Sequence, residues 1–209
     1  MSKIESNWQY TEQFPVETEH LAKARRLSLE LGVTPVSRSI AAALSNTVLI
    51  SRAKQICELG SGLGVSGLAL LRYAPQAHLT SIDIEPEYQR QSRPLFEEAG
   101  VSGSRLRMIQ GDAMEVLPRL NTGSYDLLVI DADPKNLLAY VEFGLQVIRP
   151  GGSIIVPNAF NEGHVSDPAA RDEVTQNFRD LLEMMADSPA VSSQLSPIGN
   201  GLLTLTRLP

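Results

Sequence analysis

With one cysteine in 209 residues, Cys57, the chain has no internal disulfide to hold it together. Cys57 lies in an apolar run and reads as core packing rather than as a reactive thiol. The missing disulfide framework fits a reducing compartment, and a cytoplasmic location is expected. No stretch approaches the roughly 18 consecutive apolar residues of a spanning helix, so no membrane association is expected. The opening Met1-Ser2-Lys3-Ile4-Glu5-Ser6-Asn7-Trp8 lacks the basic start, apolar centre and small-residue cleavage site of a secretory leader. Excess positive charge is absent too: 18 Lys and Arg against 24 Asp and Glu leave a formal net charge of -6. Without a basic footprint for phosphate backbones, nucleic acid is a poor partner.

What is present is ordinary globular composition, 43% hydrophobic and 20% charged, at a length suited to one compact domain. After residue 50, apolar runs and turn signals alternate in a βαβα rhythm, the pattern of a parallel sheet covered by helices. Strands are predicted at Gln55 to Leu59, Leu79 to Ile84, Arg105 to Gln110, Tyr125 to Asp131 and Ser153 to Val156. The segments Val65 to Tyr73, Glu87 to Ala99, Ala113 to Leu120 and Leu137 to Ile148 have the length and apolar spacing of crossover helices. Two further helices are predicted earlier, Val16 to Leu31 and Ser37 to Ser51, with Thr34-Pro35 as a cap-like start for the second. Residues 1–52 therefore read as a helical cap or dimerisation segment, and residues 53–209 as the ligand-binding domain. A helix from Ala169 to Ala186 and two extended segments, Val191 to Leu195 and Leu202 to Arg207, close the chain.

An apolar strand followed by glycines and then a helix is suited to holding a polar or anionic ligand. Without a Cβ the backbone approaches the ligand, and the amides of the helix start point at it. Here Gly60, Gly62 and Gly64 form GxGxG, while Gly62, Gly64 and Gly67 also form the GxGxxG of dinucleotide folds. Asp83, about 20 residues on at the end of the second strand, can accept both hydroxyls of a ribose. That supports an adenosine ligand without choosing between NAD and S-adenosylmethionine. Glu58, just before the loop, favours the second: a carboxylate there repels a pyrophosphate and attracts an ammonium or sulfonium.

Four segments together resemble the class I methyltransferases, in particular the catechol and caffeoyl-CoA O-methyltransferase-like group and its small actinobacterial members. They are Ile56 to Ser66, Thr80 to Pro86, Gly111-Asp112-Ala113 and Tyr125 to Asp133. Gly163, Val165 and the Pro197-Ile198-Gly199-Asn200-Gly201 turn extend the match. The resemblance implies a doubly wound, mostly parallel α/β sheet of seven strands, Rossmann-like, with extra N-terminal helices. It also implies an S-adenosylmethionine-dependent O-methyltransferase acting on a small hydroxylated, phenolic or catechol-like molecule, and a homodimer. Glu58 and Ser66 would then hold the methionine part, with Gly60, Ser61 and Gly62 lining it through their backbone and Val33 closing over it. Asp83 would take the ribose, while Ile84, Asp112 and Ala113 border the adenine. Asp131 and Asp133 would face cofactor and acceptor.

Two positions depart from that pattern. Magnesium-dependent members use the fourth-strand Asp and an Asp-Asn pair after the fifth strand; here Asp131 and Asn158 are present, but Pro157 holds the intervening position and has no ligating side chain. The family's lysine base falls at Pro134, with Lys135 one residue later. Lys135 is thus either a displaced base or a solvated charge at a helix start. His164 is a rival base or an exposed loop histidine. The competing functions are an NAD-dependent oxidoreductase, carried by GxGxxG alone, and a catalytically degenerate cofactor-binding protein.

Overall fold

The computed structural model describes residues 3–209. A seven-stranded sheet runs in the order β3-β2-β1-β4-β5-β7-β6, from β1 (Gln55–Leu59), β2 (His78–Asp83), β3 (Leu106–Gln110), β4 (Tyr125–Ile130), β5 (Ile148–Pro157), β6 (Val191–Ser196) and β7 (Leu202–Arg207). The first five strands pair in parallel, and β7 runs antiparallel to both β5 and β6. This is the mostly parallel, doubly wound architecture expected. The central strands are buried on both faces and carry near-continuous apolar runs, as in Leu127-Leu128-Val129-Ile130, all at most 2% exposed.

Among the described residues eight α-helices accompany the sheet: α1 (Lys3–Gln13), α2 (Glu19–Glu30), α3 (Arg38–Ser51), α4 (Val65–Leu71), α5 (Pro86–Glu98), α6 (Ala113–Val116), α7 (Leu137–Val147) and α8 (Glu173–Ala186). None is long and apolar enough to cross a membrane. Several bounds differ from the sequence pattern for identifiable reasons. The helix at residue 113 stops after one turn, because Pro118 lacks the N–H that would continue it, and a 3-10 turn follows at Leu117–Arg119. The fifth strand begins five residues early, at Ile148, pairing with Tyr125 before a register shift. α3 matches the predicted Ser37 to Ser51 to one residue, but its cap is Ser37, whose hydroxyl accepts the Ile40 amide, rather than Thr34-Pro35. Helix α1 has no counterpart in the predicted elements. It buries none of its side chains, so it carries little of the apolar periodicity by which a helix is recognised.

The N-terminal helices share one of the two apolar layers. Leu21 and Ala24 of α2 and Ile40, Leu44 and Val48 of α3 pack in one cluster with Ile56, Leu127 and Val129 of the sheet. The Glu12 carboxylate of α1 accepts the Ser39 amide, the Ser39 hydroxyl and the Gly199 amide of the β6–β7 turn, tying three distant segments together. Those donors hold its carboxyl below the usual range although burial opposes them.

Candidate active site

Chain order reverses across the sheet between β1 and β4, so the crossovers on either side depart to opposite faces and leave a crevice at the C-terminal strand ends. There a cavity of about 350 Å³ opens. It is lined by the glycine loop, the ends of β2 and β4, the first residues of α6 and the Val33–Val36 segment.

The loop is built from backbone that only glycine tolerates well. Gly60, Gly62 and Gly64 have φ of 81°, 46° and 89°. Gly60 also lies against the end of β4: a Cβ there would stand 2.0 Å from the Asp131 carbonyl oxygen. Asp83, 8% exposed, organises the turn. Its Oδ2 accepts the Gly62 amide at 2.9 Å and the Ser61 hydroxyl at 3.0 Å, while Oδ1 accepts the Glu85 amide at 2.9 Å. Gly67, the last glycine of the GxGxxG reading, packs against Phe96, Leu79 and Glu58 and so belongs to the helix–sheet contact.

Glu58 is fully buried, and both its oxygens are occupied by hydroxyl donors, Ser81 at 2.7 Å and Ser66 at 2.9 Å. Burial pushes its carboxyl up to about 7, with the charges of Asp83 and Asp131 adding to the rise and the two serines opposing it. Glu58 does not itself line the cavity; Ser66 does. Asp131, just past β4, is also raised by burial, to about 6, against the pull of the Asn158 amide, which donates to its Oδ1 at 3.4 Å.

Of the residues singled out in the sequence, Val33, Gly60, Ser61, Gly62, Ser66 and Asp83 line the cavity. So do Ile84, Asp112, Ala113, Asp131 and Asp133. Asp112 also caps α6 through the Met114 amide, and Asp133 caps the 3-10 turn Pro134–Asn136 through the Lys135 amide. Lys135 and His164 are exposed and stand outside the lining. His164 sits in a 3-10 segment, Asn161–Ser166, whose carbonyls at His164 and Val165 are held by the Arg179 guanidinium. Tyr88, Asn136 and Tyr140 also line the cavity and were not singled out. Tyr88, in the first turn of the helix after Asp83, was the most recoverable from position alone. Tyr140, 3% exposed, looks from its sequence setting like a core aromatic on an apolar helix.

A magnesium shell does not fit the residues present. Pro157 is the last residue of β5, and among the described residues no three His, Cys, Asp or Glu side chains gather to hold a metal ion.

A profile of the O-methyltransferase family matches residues 12–208. The chain belongs to the O-methyltransferase family. Among curated relatives that carry an O-methyltransferase name, a protein of Mycobacteroides abscessus is 40% identical over 99% of this chain and 96% of its own length. One from Mycobacterium avium is 42% identical over 99% and 93%. Solved structures agree. A protein of Corynebacterium glutamicum superposes with a TM-score of 0.88 at 28% identity, covering 100% of this chain and 98% of its own. The O-methyltransferase TomG of Streptomyces achromogenes, involved in tomaymycin synthesis and solved with S-adenosylmethionine, gives a TM-score of 0.85 at 25% identity, with 100% of both chains covered. Membership sets this O-methyltransferase among the S-adenosylmethionine-dependent enzymes, and the NAD reading of its glycine loop falls away.

Proposed function

We propose that this O-methyltransferase transfers the methyl group of S-adenosylmethionine to an oxygen of a small hydroxylated, phenolic or catechol-like molecule. The observation that carries the reading is Asp83, which holds the glycine loop through the Ser61 hydroxyl and the Gly62 amide and still lines the crevice at the strand-order reversal. When bound, the cofactor supplies a sulfonium-activated methyl group open to in-line displacement. The chain's own work is then alignment, because the carbon is already activated. Asp83 takes the ribose hydroxyls, and Ile84, Asp112 and Ala113 border the adenine. Because the Ser66 hydroxyl donates inward to Glu58, its lone pairs are left to accept from the cofactor's ammonium. Val33 and the backbone of Gly60, Ser61 and Gly62 enclose the methionine end.

Asp131 is our assignment for the group that accepts the acceptor's proton. It is the one of the three candidates that lines the cavity, and its raised carboxyl lies nearer to neutral pH than an ordinary aspartate. No step is routed through a metal, since the residues do not form its shell. Calorimetric titration with S-adenosylhomocysteine tests the cofactor assignment. Wild type should bind with or without magnesium, and Asp83→Ala should weaken binding on the order of tenfold or more, having lost charge-assisted hydrogen bonds. A wild type that does not bind would sink the reading; binding indifferent to Asp83→Ala would remove the ribose assignment. Transfer to a metal-free phenolic panel separates an active enzyme from a degenerate cofactor binder.

The same reading includes a cytoplasmic homodimer assembled through the segment 1–52. Support comes from the buried, unpaired Cys57 and from apolar side chains left in solvent: Ile4, Trp8 and Tyr10 on α1, Leu49 and Ile50 on α3. Sedimentation equilibrium should return a dimer that Ile50→Glu converts to monomer. A monomeric wild type at tens of micromolar removes the dimer.

A further inference from the structure

The strap between α2 and α3 has no regular structure, yet Val33, Thr34, Pro35 and Val36 form one wall of the cavity. Its near end is fixed by α2: the Val33 amide donates to the Ser28 carbonyl at 2.9 Å. Its far end is fixed by a side chain. Arg25, in the middle of α2, donates through Nη1 to the Val36 carbonyl at 2.6 Å. Among the described residues no other side chain hydrogen-bonds the backbone of residues 32–36. The same guanidinium turns its other edge to Glu17, donating to one carboxylate oxygen through Nε at 2.8 Å and Nη2 at 2.7 Å, while Arg38 donates to the second oxygen at 3.1 Å. With 14% and 8% of their side chains exposed, Arg25 and Glu17 form the least exposed ion pair among the described residues. A pair withdrawn from water adds little net stability, because desolvation offsets the attraction, but its rigid fork fixes where a third group must lie. Here that group is the carbonyl of Val36, a residue 2% exposed, where an acceptor left without a donor is costly.

We propose that Arg25 is a positioning residue for the cofactor: braced by Glu17, it holds the 33–36 strap against the methionine end and slows cofactor release. Its role rests on the cofactor reading above, in which Val33 closes over that end. Arg25 does not line the cavity, so it acts through the strap.

The test measures S-adenosylhomocysteine binding to the full chain well below its melting temperature, by calorimetry for affinity and by stopped flow for release. Arg25→Met should bind on the order of tenfold more weakly, chiefly through faster release. Glu17→Gln should also weaken binding, roughly threefold, since its amide oxygen still accepts from the guanidinium but without the charge. These two variants change the net charge in opposite directions, so a mere field effect on the ligand's carboxylate would move their affinities opposite ways. Arg105→Met is the control for lost stability. Its guanidinium also holds two backbone carbonyls, Ala74 at 2.6 Å and Ala77 at 2.9 Å, at the other ends of the strands. That variant should melt earlier and keep wild-type affinity. Wild-type affinity in Arg25→Met overturns the proposal, as does tighter binding by Glu17→Gln or an equal loss in Arg105→Met. Should Arg25→Met fail to fold, Glu17→Gln decides alone: weaker binding upholds the brace, and unchanged or tighter binding overturns it. Failure of the cofactor reading shows separately, as a wild type that does not bind, and takes the proposal with it.

Discussion

Replacing Gly60 with alanine should cost this O-methyltransferase its cofactor site and much of its stability. The new methyl carbon would sit 2.0 Å from the Asp131 carbonyl oxygen and 2.7 Å from its carbon, both backbone atoms of β4's exit. No rotamer change relieves a backbone clash. The strand ends must part, and they are joined by the Asp131 amide donating to the Leu59 carbonyl at 2.9 Å. Such overpacking, added to the cost of an L-residue at φ 81°, comes to about 3 kcal/mol or more. A domain of this size loses roughly 2–4 °C in Tm per kcal/mol, so melting should fall by about 10 °C, with S-adenosylhomocysteine binding lost by calorimetry. Gly100 supplies the control. Its φ is 78°, yet nothing lies within 4 Å of a Cβ placed there. Gly100→Ala should therefore show the conformational part alone, about 1–2 kcal/mol, and leave binding unchanged. Equal losses at both positions would mean that the approach to β4 is unimportant.

The second large effect is expected of Glu58→Gln, with opposite signs for stability and binding. Burial raises the Glu58 carboxyl to about 7 from an ordinary value of 4.5. A raised carboxyl favours the folded state at low pH and loses that advantage as pH climbs. Below about 4.5 the group is protonated in both states, between about 4.5 and 7 the unfolded chain ionises first, and above 7 the buried charge carries its full penalty. Glutamine removes that ionisation; one of the Ser66 and Ser81 hydroxyls can rotate to accept from its NH2 while the other goes on donating to its oxygen. Urea unfolding of Glu58→Gln should thus show a gain of about 1–3 kcal/mol at pH 8 that vanishes near pH 4.5. At pH 8 its affinity for S-adenosylmethionine should nevertheless drop, because the amide removes the negative charge behind Ser66 and, with its NH2 turned to Ser66, makes that hydroxyl present its proton to the cofactor's ammonium. A variant that loses stability at pH 8, or keeps wild-type affinity, would show that Glu58 is not an ionised, buried partner acting through Ser66.

Both experiments probe residues that one line of sequence brings to notice, yet for different reasons than the sequence suggests. Glycines at 60, 62 and 64 mark a loop, but their spacing does not reveal that Gly60 is required by the backbone of Asp131, just past β4. Glu58 reads as a direct ligand from its place before the loop; in the fold it sits behind the lining, with the hydrogen bond from Ser66 as its link to the cavity. Asp83 combines both levels. Its distance from the glycines marks it as a ribose acceptor, and only the folded chain shows that the same carboxylate also ties the loop shut.

Local patterning determined the sheet, its crossover helices, the glycine loop and the spaced acid, because each is written in short-range periodicity and turn chemistry that neighbouring residues share. Even the break in the metal pattern is local, since Pro157 offers no side-chain ligand wherever it is placed. The tertiary structure alone decided which of Asp131, Lys135 and His164 faces the cavity, and it brought in Tyr88 and Tyr140. It brought Asp83 at the end of β2, Glu85 before α5, Asp112 before α6 and Asp131 and Asp133 after β4 to the lining of one cavity. The physical reason is that a cavity's lining is assembled from distant segments: motifs mark single residues, and which of them share one crevice exists only once the strand order reverses and the strand ends converge.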